Sequence, residues 1–155
     1  MKKLIYFPFS LLLFFILTAA VQQTTDECSS TLLKKQAKEL LNPDYKYDSS
    51  KTMKITTKSK KQVKELEIPL YIGEKYKFIF NTACMPKGVD VKVYSKKIGN
   101  KKRKLLYNLS DQLTEGQNIY TWEPEKSRKM YIDFEIPASD QTETGTVIFL
   151  LGYKF

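Results

Sequence analysis

Histidine is absent from this chain, so the side chains able to do chemistry are carboxylates, lysines and aromatics. Without it there is no Ser-His-Asp or Cys-His nucleophile arrangement, and zinc loses its commonest ligand. Pairing of the two cysteines, Cys28 and Cys84, would leave no spare thiolate. Six glycines are scattered along the chain and form no phosphate-cradling loop. Carboxylate pairs at Asp26/Glu27, Glu65/Glu67 and Asp133/Glu135 are the remaining hydrolytic option, because two acids flanking a sugar bond suffice for glycoside hydrolysis. Asp133 with Glu135 is the best placed of them. On an outward strand face, however, such a pair is ordinarily just solvated. Asp140 and Glu143 offer calcium two carboxylates without the clustered spacing of a calcium loop. No cofactor and no metal is expected.

Positive charge is the strongest surface signal. The chain has 26 Lys and Arg against 17 Asp and Glu, a formal charge of +9. One basic cluster is Lys58, Lys60, Lys61 and Lys64. A second, Lys96, Lys97, Lys101, Lys102, Arg103 and Lys104, surrounds Ile98-Gly99-Asn100 and reads as a hairpin tip. Such a tip suits anionic lipid headgroups, lipopolysaccharide phosphates, acidic polysaccharide or nucleic acid. Nucleic acid is a poor partner for an exported protein. The competing reading is a solvated face that keeps the protein soluble, favoured by lysine, which lacks the planar fork of arginine. Aromatics are abundant, with ten Tyr, nine Phe and one Trp. Tyr45 and Tyr47 flank Lys46, and Tyr120 and Trp122 share one face of a short strand. Such pairs stack on sugar rings or fill a sandwich core, and for Trp122 the core is the more usual place. The candidate ligand-binding set is therefore Lys96, Lys97, Lys101, Lys102, Arg103, Lys104, Tyr120 and Trp122.

The elements that must position these residues begin after an export signal. Lys2 and Lys3 precede an almost wholly apolar run, Leu4 to Leu17, and Thr18-Ala19-Ala20 supplies the small residues of a cleavage site. The expected organisation is a signal peptide over 1–20, a flexible leader over 21–28 and one domain over 29–155. An uncleaved anchor is the rival, since Leu4 to Val21 only just reaches spanning length. In an exported domain the two cysteines most simply form one disulfide, the alternative being two unpaired thiols. Ser29 or Ser30 can cap a helix running to about Leu41, with Leu33, Ala37, Leu40 and Leu41 on one face, stopped by Asn42-Pro43. From Met53 the period changes to two. Alternation over 66–70, 76–80, 89–93 and 130–136 predicts strands, and short apolar pieces at 105–107 and 119–122 add more. Pro69 hints at an edge. The last strand, Thr146 to Tyr153, is apolar on both faces and should be central. The fold class expected is mainly β, an antiparallel, jelly-roll-like β-sandwich with one amino-terminal helix.

The order Leu66-Glu67-Ile68-Pro69-Leu70-Tyr71-Ile72-Gly73-Glu74-Lys75-Tyr76-Lys77-Phe78, then Val89 to Tyr94, Arg128 to Phe134 and Gly145 to Tyr153, resembles the jelly-roll sandwiches called pre-peptidase C-terminal domains. These accompany secreted enzymes. The same order is also similar to small exported proteins of Gram-negative bacteria. The resemblance covers roughly Leu66 to Phe155 and implies a non-catalytic sandwich. The sequence departs from those domains in its amino-terminal helix, its two cysteines and the lack of an attached catalytic domain. The resemblance carries over no functional residue. The function expected is a non-catalytic exported module with a binding or structural role in the periplasm or at the cell surface. The alternatives are a carbohydrate- or anionic-envelope-binding module and a small carboxylate-based hydrolase. A partner protein is a further option, and no transmembrane span is expected after signal cleavage.

Overall fold

The computed structural model describes residues Glu27 to Phe155, so the expected signal peptide and nearly all of the expected leader lie outside the described residues. The helix α1 spans Ser30–Glu39. It buries Leu33 and Ala37, and Leu41 continues that buried side just beyond it. It ends two residues earlier than the spacing suggested. Leu40, Leu41 and Asn42 close the last turn on carbonyls three residues back, and the residue before Pro43 cannot easily stay helical. Leu40 is therefore left exposed rather than on the buried face. Ser29 occupies the cap position, but its hydroxyl makes no capping bond.

Eight strands follow: β1 Lys46–Thr56, β2 Gln62–Ile68, β3 Lys75–Cys84, β4 Asp90–Tyr94, β5 Leu105–Asn108, β6 Ile119–Trp122, β7 Met130–Ile136 and β8 Thr144–Lys154. They form two four-stranded sheets, ordered β1-β8-β3-β6 and β2-β7-β4-β5. Every pairing is antiparallel. The pairs β1–β8, β2–β7, β3–β6 and β4–β5 are nested, as in one long hairpin. Rolling that ribbon up brings β3 beside β8 and β4 beside β7. This is the jelly-roll way of making two packed sheets from Greek-key connections.

Period-two alternation decides which side chains enter the core. Tyr76, Phe78 and Phe80 of β3 face Val91, Val93, Ile132 and Phe134 of the other sheet, and Phe149 and Leu151 of β8 join them. The opposite face of β8 is also apolar because α1 covers it. Ile79 and Leu150 pack there with Ala37, Leu41 and Tyr45. Asn81, fully buried, donates to the Leu33 carbonyl and to Gln36 Oε1, both at 3.0 Å, and so orients the helix. Gly152 lets Leu41 approach β8: a Cβ there would sit 2.2 Å from Leu41 Cδ2. The Cys28–Cys84 disulfide ties the chain just before α1 to the end of β3.

The pairing register gives the sandwich two distinct ends. One end, here the loop end, collects the start of β1, the β2–β3, β4–β5 and β6–β7 connections, and the end of β8. The far end collects the other four connections and the disulfide.

Candidate ligand-binding cleft

The outward face of the second sheet anchors the loop end. Alternation puts Glu65, Asp133 and Lys92 in one row across β2, β7 and β4. The β4–β5 hairpin loop folds back over that row. Arg103 Nη2 donates to Asp133 Oδ2 at 2.6 Å and to Glu65 Oε2 at 3.2 Å. Its Nε donates to the Lys96 carbonyl at 2.9 Å, and its guanidinium lies 3.4 Å above the Tyr94 ring. The Ile98 amide donates to the same Glu65 oxygen at 2.7 Å.

Asp133 is consequently 2% exposed. It is not the solvated strand carboxylate expected from its spacing, because the hairpin covers it. Burial pushes its carboxyl above the ordinary aspartate range, against the pull of Arg103. Glu135 sits next along β7 and accepts from Lys92 at 3.0 Å, with Lys61 at 3.6 Å. Burial pushes it upward, but the Lys92 hydrogen bond and the two lysine charges prevail and hold it below the usual glutamate range. Both carboxylates of this pair thus already have a cation against them. Arg103 likewise departs from expectation: it is a structural clamp rather than a loose tip charge.

With Arg103 turned inward, its neighbours face the other way. A cleft of about 550 Å³ lies between the β4–β5 and β6–β7 connections. Its apolar lining includes Leu105, Leu106, Trp122 and Met130, and its rim carries Lys96, Lys102, Lys104, Lys126 and Arg128, with Glu125 the one carboxylate. None of the five cations makes an ion pair among the described residues. Trp122 is the last inward-facing residue of β6. It stacks on Tyr107 with centroids 5.5 Å apart and meets Phe78 edge-on at 5.4 Å. The ring therefore packs against the core and also lines the cleft.

Of the residues singled out from sequence, the fold gathers Lys96, Lys102, Lys104 and Trp122 into this cleft. Lys97 and Lys101 are exposed on the hairpin tip outside its lining. Tyr120 is not available to a ligand. It is buried, and its hydroxyl donates to the Gln117 carbonyl at 2.7 Å. The other basic cluster is partly engaged, with Lys64 donating to the Lys54 carbonyl at 2.6 Å and Lys61 beside Glu135. Lys126, Arg128, Leu105, Leu106 and Met130 were missed. The run Lys126-Ser127-Arg128-Lys129 was a legible basic signal, but its closeness to the hairpin is a product of the rolled topology. Among the described residues no three His, Cys, Asp or Glu side chains cluster as metal ligands would, and no helix is long and apolar enough to cross a membrane.

Fold and cleft together describe a jelly-roll sandwich with an aromatic, cation-rimmed groove at one end. No protein-family model matches the chain, and no curated protein is similar to it.

Proposed function

We propose that the protein is a non-catalytic, exported binding module of the periplasm or cell surface, and that it holds an acidic saccharide in the loop-end cleft. The observation that carries this reading is one aromatic ring, Trp122, among five cations without ion pairs. A sugar ring offers C–H groups to an aromatic face, and its phosphates or carboxylates answer the lysines. The carboxylates best placed for hydrolysis, Asp133 and Glu135, are each engaged by a cation, which favours binding over catalysis. The disulfide is in keeping with an oxidising compartment. The resemblance of residues 66 to 155 to non-catalytic jelly rolls points the same way.

The test uses the only Trp of the chain. Polygalacturonate and a phosphorylated mannan serve as carboxylate and phosphate probes, and neutral dextran as the control. At low salt, at least one acidic probe should change Trp122 emission saturably, and dextran should not. Lys102→Ser/Lys104→Ser/Lys126→Ser should weaken that binding by about tenfold or more, with the loss shrinking as salt rises. A parent protein whose emission ignores both acidic probes at low salt would overturn the reading.

A further inference from the structure

Beyond the cleft, the loop end carries apolar side chains that nothing in the fold uses. Ile72 is 94% and Tyr71 73% exposed at the tip of the β2–β3 turn, and Ile98 is 50% exposed at the tip of the β4–β5 hairpin. β2 and β4 flank β7, so the two turns start about 10 Å apart. Both are held out rather than collapsed. The Tyr71 amide donates to Tyr76 Oη at 3.1 Å, Tyr76 in turn donates to Glu74, and Ser127 of the β6–β7 connection donates to the Glu74 carbonyl. The Ile98 amide is fixed on Glu65. Cations stand beside the tips, Lys97 and Lys101 around Ile98 and Lys75 after the Tyr71-Ile72 turn, none of them in an ion pair among the described residues.

We infer that this end docks on an anionic lipid bilayer, with Tyr71, Ile72 and Ile98 entering the boundary between headgroups and acyl chains. Two separate convex tips offer no groove for a folded partner, whereas a soft bilayer receives both. Tyrosine is at home at headgroup depth. Lysine, a hydrated point charge on a flexible stem, suits a diffuse layer of anionic headgroups better than a geometric pocket. Apolar insertion combined with cation attraction is the usual basis of peripheral membrane binding. The inference uses side chains outside the cleft and fails or stands independently of the saccharide reading.

The experiment is vesicle co-sedimentation of protein purified from an exporting host. One set of vesicles is phosphatidylcholine alone, the other phosphatidylcholine mixed with phosphatidylglycerol. The parent should sediment with the mixed vesicles only. Tyr71→Ser/Ile72→Ser should lose about tenfold or more in affinity, because each inserted side chain is transferred out of water, and that loss should persist at raised salt. Lys97→Ser/Lys101→Ser should lose about fivefold per lysine at low salt and less at high salt. The apolar double variant should keep the parent's melting curve and its Trp122 response to acidic saccharide, which shows that the fold and the cleft are intact. Equal sedimentation of parent and Tyr71→Ser/Ile72→Ser on mixed vesicles would overturn the inference. So would a parent that binds acidic saccharide and ignores both vesicle types, a result that leaves the cleft reading standing.

Discussion

The two ends of the sandwich spend their polar groups differently. At the far end they are used up internally. Thr57 donates to the Gln141 carbonyl and accepts from the Glu143 amide, both at 2.8 Å, while Ser139 donates to the Lys58 carbonyl at 2.8 Å. The disulfide adds a covalent tie there. Connections 57–61, 85–89, 109–118 and 137–143 hold four cations and four carboxylates, so the far end has no net sign. Connections 69–74, 95–104 and 123–129 at the loop end hold nine cations and three carboxylates. Of the described apolar side chains at least half exposed, Tyr71, Ile72, Ile98, Leu105 and Phe155 lie at the loop end and only Leu113 at the far end. The difference separates groups that hold the fold together from groups left over for something else. Arg103 is the exception, a loop-end charge committed to structure.

Arg103→Ala should produce the largest effect. It leaves Asp133 buried and unpaired, and breaking a buried pair from one side costs about 3–5 kcal/mol. Urea melts of parent and variant measure this, and the anchored hairpin should also gain protease sensitivity. A loss no larger than that of Lys102→Ser would mean the clamp is no different from its neighbours, and the division within the loop end would collapse.

Cys84→Ser challenges the far end. Freeing the 56-residue loop should destabilise the domain by about 2–4 kcal/mol, read from melts without reductant. At temperatures where the variant is folded, Trp122 should respond to acidic saccharide as in the parent, because the cleft lies at the other end. Binding that disappears while the fold persists would show that the two ends are coupled.

Lys92→Met addresses the sheet between the ends and should give the smallest change, about 1 kcal/mol or less for a partly exposed pair. Its sign with pH is definite. Glu135 is held below its unfolded value in large part by Lys92. Its contribution is therefore present above about pH 4.5 and lost as pH falls through the lower folded value. The stability gap between parent and variant should narrow from pH 6 to pH 3. A gap that widens on acidification would assign the depression of Glu135 to something other than Lys92. Asp133 works in the opposite sense: its raised carboxyl gives a contribution present at low pH and lost as pH rises through the folded value.

Most of the strands could be read from the chain because the alternation that buries a side chain is local. Val89, Val91 and Val93, or Met130, Ile132, Phe134 and Ile136, announce a core face whatever they pack against, and every one of them is buried. The two apolar faces of β8 announced a central strand, and it lies between β1 and β3 with α1 on its outer side. The disulfide followed from having two cysteines in a chain expected to be exported. The roles of Lys102 and Arg103 were beyond local reading. They are adjacent in a uniformly basic run, yet one lines a cleft and the other clamps Glu65 and Asp133, which lie 38 and 30 positions away. Trp122 likewise could be read only as one of a strand-face pair with Tyr120, whereas the end of the sandwich at which β6 stops leaves Trp122 at the cleft and Tyr120 in the core. Residue alternation is written along the chain and sets which side chains turn inward. Which charges meet a carboxylate and which face solvent depends on how the nested ribbon rolls, and that is decided by packing between segments far apart in sequence.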